Sequence, residues 1–242
     1  MFYIDWTYIL VIVGLLITVI ASNRMKTTVA KYAKVQASCG LTGAQVAKKI
    51  LSSNNIYGVS VQPIQGELTD HYDPRNQTVN LSQPVFNATS IAAIGVAAHE
   101  CGHAIQADQG YFPLKFRSAI VPVVNIGSKL AWPVLIVGVF LGGLAQLQPG
   151  EYSLGRTLVD IGIFLYALAV FFQLVTLPVE YNASSRAVEQ LDTLGIVGQD
   201  EKEDVRKVLN VAALTYVAAA SSGLLQLLRV IFMFGGRGNR RR

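Results

Sequence analysis

Three apolar runs, each long enough to cross a bilayer, constrain this chain more than any other feature: about Tyr3 to Ser22, Leu130 to Leu147 and Thr157 to Leu177. In hydrocarbon the backbone must satisfy its own N–H and C=O groups, so such runs are helices of about 20 residues. Composition points the same way, since 52% of the 242 residues are hydrophobic and only 14% charged. The first run opens with Asp5, Trp6 and Tyr8 and lacks a basic lead, which favours a retained anchor over a cleaved signal peptide. Pro149 and Gly150 join the second and third runs into a hairpin. A fourth run, Val211 to Phe234, is harder to place, because spanning would carry Gln226 and Arg229 into hydrocarbon and leave Arg237, Arg240, Arg241 and Arg242 outside. The favoured reading is a helix packed on the cytoplasmic part whose end lies in or dips into the membrane interface, with a full fourth span as the alternative.

Basic residues orient the chain. Arg24, Lys26, Lys31 and Lys34 follow the first run, Lys115, Arg117 and Lys129 precede the second, and Arg186 and Lys202 follow the third, against Arg156 on the other side. The positive-inside rule then places residues from about 23 to 129 and from about 178 onward in the cytoplasm. The expected organisation is an anchor at 1–22, a first cytoplasmic part at 23–129, a transmembrane hairpin at 130–177 and a second cytoplasmic part at 178–242. A pI near 9.2 would also suit a nucleic-acid binder, but the basic residues flank apolar runs and form no patch interleaved with aromatics, so no nucleic-acid partner is expected. Cys39 and Cys101 make neither a disulfide framework nor a CxxC pair.

His99-Glu100-Cys101-Gly102-His103 uses two of the three histidines. On a helix, residues i and i+4 share a face, so both imidazoles can grip one ion. Glu100 then stands beside that ion as a general base for a water on its open position. The preceding Ile91 to Ala98 is apolar enough to carry the motif on a buried helix, with Cys101 and Gly102 pointing away from the histidines. Upstream, Thr42-Gly43-Ala44-Gln45 has capping-box spacing and opens a helix that ends near Asn54 and Gly58. Val59 to Ile64, Glu67 to Tyr72 and Gln77 to Ser82 read as strands of a small antiparallel sheet, with a turn at Asp73 to Asn76. An edge of that sheet could hold an extended peptide by main-chain hydrogen bonds. Pro178 reads as the first residue of a new helix capped by Thr176, stopping near Gly195, and Asp200 and Glu203 have capping-box spacing for the next.

A catalytic zinc site needs a third protein ligand. Asp160 lies near the outer end of its span, roughly 30 Å along a straight helix from Glu180, and has an ordinary helix-dipole explanation. Glu180, at the cytoplasmic end of that span, is the better ligand. His71 is either a hydrogen-bond donor to a developing oxyanion or a surface residue.

HECGH, LTDHYDPRNQTVNLS, SIAAIGVAAHE and LPVEYNASSRA together resemble the YugP-like membrane zinc metallopeptidases, distant relatives of the HtpX heat-shock protease and the CAAX prenyl proteases. The resemblance runs from the first span to the final helix. It implies a mainly α integral membrane protein with a gluzincin-like metalloprotease domain, in which one Zn²⁺ is held by His99, His103 and Glu180 and Glu100 is the general base. Relatives usually carry an aspartate where this chain has Ser184, which can still orient an imidazole N–H but adds no charge. Arg186 is a candidate for substrate or oxyanion contact, or else a structural salt bridge. The expected activity is that of a zinc-dependent endopeptidase of the cell membrane, acting on protein or peptide substrates at the cytoplasmic face. The alternatives are an intramembrane site-2-type protease using Asp160, and a zinc transporter without enzymatic activity.

Overall fold

The computed structural model describes residues 5–143 and 153–235. The end of the second apolar run, its Pro149-Gly150 connection and the arginine tail from Arg237 lie outside the described residues. Helix α1 spans Tyr8–Tyr32, α2 Gly43–Ser53, α3 Gln83–Phe86, α4 Ile91–Asp108, α5 Phe112–Gly138, α6 Leu154–Thr193 and α7 Gln199–Val230. Strands β1 (Ser60–Ile64), β2 (His71–Asp73) and β3 (Thr78–Ser82) form the sheet. The chain divides into two compact units, one of Met1–Ile20, Phe116–Thr176 and Tyr216–Arg242, the other of Ala21–Lys115 and Leu177–Thr215.

The first unit is a bundle of apolar helix segments. Among the described residues, four helices are long and apolar enough to cross a membrane: Tyr8–Tyr32, Phe112–Gly142, Leu154–Thr193 and Gln199–Phe234. Their large apolar side chains, among them Ile9, Ile12, Leu15, Ile126, Phe164 and Leu224, face outward. That arrangement is costly in water and ordinary in lipid. Within the bundle α5 and α6 run antiparallel, with Trp132 against Tyr166 at 6.1 Å and Phe116 against Phe171 at 6.5 Å between ring centroids. Their backbones come close at Gly162, where a Cβ would meet the Leu135 Cβ at 2.8 Å.

The last apolar run departs from the favoured expectation. From Tyr216 onward it belongs to the bundle, antiparallel to α1 and α6. Trp6 meets Phe232 at 5.8 Å between centroids, and the Arg156 Nη1 donates to the Phe234 carbonyl at 3.0 Å. The polar cost that argued against a fourth span is offset only in part, since the Arg229 guanidinium lies over the Tyr8 ring, 4.2 Å from its centroid, while its Nε is buried without a hydrogen-bond partner among the described residues. The end of α7 therefore lies at the same end of the bundle as the starts of α1 and α6.

The second unit holds the sheet, α2, α4 and the remaining parts of the long helices. The Thr42 and Gln45 capping box starts α2, as its spacing indicates. Val46 and Ile50 of α2, Val79 and Leu81 of β3, Ile91, Ile94 and Ile105 of α4, and Leu191 of α6 form its buried core. The sheet is mixed and not antiparallel: the order is β1-β3-β2, with β1 parallel and β2 antiparallel to β3. The Asp73 carboxylate accepts from Arg75 N at 2.8 Å and Asn76 Nδ2 at 2.7 Å, turning the chain so that β3 enters between the other two strands. Glu67 to Asp70 do not join the strand. Asp70 instead accepts from Ser82 N at 2.7 Å and caps the end of β3.

Two local expectations are also corrected. Pro178 lies inside a continuous α6, where it starts no new helix, and the Thr176 hydroxyl donates back to the Phe172 carbonyl at 2.9 Å. Proline removes one backbone donor, but the packing of α6 on both sides of it holds the helix together. The start of α7 is closed by Glu201, which accepts from Gly198 N at 3.2 Å and Ser38 N at 2.6 Å, and not by Glu203. The stop near Gly195 is where the sequence puts it, at φ +59°.

Candidate metal centre

Helix α4 carries the motif because its apolar residues recur on the faces that meet α2 and the sheet, and because Ser90 caps its start by accepting from Ala93 N. Cys101 is buried on the α2 side, its Sγ 3.6 Å from the Ala47 carbonyl, and burial pushes its thiol well above the ordinary range. A packed thiol of that kind is neither a ready ligand nor a nucleophile. His99 and His103, one turn apart, stand edge to face with centroids 4.8 Å apart.

Helix α6 crosses α4 at this turn. Gly102 makes the crossing possible, since a Cβ there would lie 2.4 Å from the Ala183 carbonyl oxygen. The glycine therefore faces α6, contrary to the expectation that it points away. The close approach brings Glu180, 2% exposed, to the two imidazoles. Its Oε2 is 3.3 Å from His99 Nε2 and 3.5 Å from His103 Nε2, and one donor atom from each residue lies within 4.8 Å of the others. Burial disfavours the His103 imidazolium, but the Glu180 hydrogen bond and the nearby Glu100 and Glu180 charges outweigh it and raise its pKa above the ordinary value.

The far nitrogens of both rings are engaged. His99 Nδ1 is 3.1 Å from Ser184 Oγ, and His103 Nδ1 is 3.0 Å from Gln106 Oε1. With both Nδ1 atoms so held, the two Nε2 atoms are turned toward the carboxylate. Two imidazoles and one carboxylate, with a coordination position left over, are a donor set that suits zinc in a hydrolytic site. Glu100 adjoins this cluster on α4, 7% exposed, and its carboxylate has no hydrogen-bond or ion-pair partner among the described residues.

The other sequence candidates fall elsewhere. Asp160 lies in the bundle unit, paired with Arg156 at 3.2 Å, and is not part of the cluster. His71 lies on β2, its Nδ1 2.8 Å from the Thr69 carbonyl and its Nε2 3.2 Å from Asn80 Nδ2, so both ring nitrogens are engaged locally. Arg186 makes no salt bridge among the described residues. It donates to the amide oxygens of Asn182 at 2.7 Å and Gln109 at 2.6 Å, with its guanidinium 5.8 Å from the Tyr111 centroid. Sequence reasoning missed Gln106, which is fully buried and donates to the Val179 carbonyl at 2.8 Å and to Asn182 Oδ1 at 2.9 Å. The signal was there, because a glutamine three residues after His103 shares its helix face.

Comparison with known proteins covers nearly the whole chain. The family model described as "Putative neutral zinc metallopeptidase" matches residues 7–235. A relative from Bacillus subtilis (strain 168), "Putative membrane protease YugP", is 47% identical over 214 residues, which are 88% of this chain and 90% of the relative. No solved structure matches the chain.

Proposed function

The chain belongs to the neutral zinc metallopeptidase family, and from that premise we propose that it is a membrane-bound, zinc-dependent endopeptidase. The observation that carries this reading is the convergence of His99, His103 and Glu180, with one donor atom from each residue within 4.8 Å of the others. These three residues would hold the ion. Zinc bound there supplies Lewis-acid polarisation of a scissile carbonyl and lowers the pKa of a water to near neutrality.

The remaining chemistry falls to the chain's own groups. Glu100, buried and without a side-chain partner among the described residues, takes the proton of the attacking water and passes it to the leaving amine. Ser184 orients His99 by hydrogen bonding its Nδ1. β1, an edge strand of the sheet, offers main-chain groups to an extended peptide, a mode with little sequence preference. The clustered residues all belong to the unit that carries the sheet, while Asp160 belongs to the bundle. A cluster drawn wholly from the unit with the sheet, without Asp160, favours a protease outside the hydrocarbon over the intramembrane and transporter alternatives. The orientation we infer is cytoplasmic. Arg24, Lys26, Lys31, Lys34, Lys115 and Arg117 adjoin, in the sequence, the ends of the first two apolar runs that lead to the motif, against Arg156 before the third.

The test is peptide hydrolysis by purified protein in detergent, with zinc content measured in parallel. Glu100→Gln should keep zinc and lose about 10²-fold or more in kcat. Undiminished hydrolysis in that variant would remove Glu100 from the mechanism.

A further inference from the structure

Gln106, Asn182 and Arg186 are not surface decoration around the cluster: they form an unbroken series of hydrogen bonds ending on His103. We propose that this series is directional and acts as a tautomer lock, placing the proton of His103 on Nδ1 so that Nε2 presents its lone pair to the cation. The proposal rests on the metallopeptidase reading above, and it assigns Gln106, Asn182 and Arg186 as positioning residues for His103.

The direction follows from groups that can play only one role. A guanidinium has donors and no acceptor, so the atom of Asn182 that Arg186 Nε meets at 2.7 Å must be the amide oxygen. That oxygen also faces Gln106 at 2.9 Å, so the Gln106 atom there must be its NH₂ group. A second anchor agrees, because the same nitrogen meets the Val179 carbonyl, which only accepts, at 2.8 Å. With its nitrogen fixed by two acceptors, Gln106 can offer His103 only Oε1, at 3.0 Å. An acceptor there requires an N–H on Nδ1, which leaves Nε2 for the ion.

Two features suit the series to this task. Gln106 is fully buried, so water does not compete for its three hydrogen bonds, and a flipped amide would leave unmatched polar contacts at both ends. Val179 and Asn182 flank Glu180 in the sequence. The same amide that orients one histidine therefore holds the turn of α6 carrying the carboxylate.

The experiment uses the full chain in detergent micelles and has two readouts. One is ¹⁵N NMR of the histidine rings above the imidazole titration range in zinc-free protein carrying Glu180→Ala, so that no carboxylate competes for the proton at Nε2, simplified by there being only three histidines. The other is zinc affinity by competition with a chelator. In that background His103 should be protonated on Nδ1 and Gln106→Met should remove the preference, and with Glu180 in place Gln106→Met should bind zinc about 10- to 100-fold more weakly than wild type. Asn182→Leu should fall in the same direction, whereas Asn182→Asp, which keeps the acceptor, should recover zinc affinity to within about threefold of wild type. A Gln106→Met protein that melts lower but keeps both the tautomer and the affinity would reduce Gln106 to a packing residue and overturn the proposal. A wild type that binds no zinc would instead defeat the metallopeptidase reading, while the NMR measurement, made without metal, would still decide the tautomer.

Discussion

Replacing Gly102 by alanine perturbs the site at a position that carries no chemistry of its own. The added Cβ would lie 2.4 Å from the Ala183 carbonyl oxygen, about 0.9 Å short of an ordinary C···O contact of about 3.3 Å. Neither atom is the end of a flexible side chain, so α4 and α6 must separate by most of that distance. Ala183 is three residues from Glu180 on the same helix, so the displacement reaches the carboxylate nearly undiminished. Ligand distances in metal sites tolerate about 0.2 Å, and Glu180 would be drawn out of reach. The expected outcome is a zinc affinity lower by on the order of 10²-fold and hydrolysis lower by a similar factor. Overpacking should also destabilise the protein by about 1 to 3 kcal/mol. Gly95 supplies the control on the same helix, since its Cβ would meet Val205 Cγ1 at 3.4 Å, an ordinary contact. Gly95→Ala should keep zinc affinity and melt no lower, helped by the better helix propensity of alanine. Competition with a chelator and thermal melts in detergent read both variants. If Gly102→Ala binds zinc as tightly as Gly95→Ala, the close crossing is not what brings Glu180 to the histidines.

His103 holds its proton above the ordinary imidazole range because the gain from Glu180 outweighs burial, and a cation must displace that proton. Zinc affinity should thus rise with pH through and above the ordinary imidazole range. Zinc-free protein should show the opposite trend, because a raised pKa contributes stability that is full below the unfolded value and is lost as pH rises through the folded one. In the bundle, Tyr8→Ala removes the ring beneath the Arg229 guanidinium and should cost about 0.5 to 2 kcal/mol in a detergent melt, with zinc affinity unchanged. A Tyr8→Ala protein as stable as wild type would mean that Arg229 finds its compensation elsewhere.

What could be read from the sequence was what depends on short spacings. The i, i+4 histidines, the Thr42 and Gln45 capping box and the Gly195 helix stop are local rules, and local geometry obeys them. That Glu180 meets the two histidines was expected from two apolar runs leading the chain away from the motif and back, and the described parts of α5 and α6 do run antiparallel. Features set by distant partners were out of reach. The parallel pairing of β1 with β3 depends on where β2 folds back, and the tolerance of α7 for Arg229 depends on Tyr8, more than two hundred residues away. Pro178 shows a local rule losing to packing, since one missing backbone donor does not break a helix held on both sides. Gly102 does not point away, because at about 100° per residue it lies only about 60° from His99 on the wheel, and how closely the α6 backbone passes there is set by a distant segment. Arg186 drew a charged partner in expectation, whereas its actual partners are amide oxygens on residues no local pattern connects to it.

The central claim is that His99, His103 and Glu180 together hold one zinc ion, and its most direct test is zinc binding by Glu180→Ala. Stoichiometry and affinity are measured on the full chain in detergent, with Asp160→Asn as the comparison. Wild type and Asp160→Asn should each bind one equivalent, while Glu180→Ala should lose the ion under chelator competition at the same free zinc. A Glu180→Ala protein that retains one equivalent at wild-type affinity would contradict the three-ligand site.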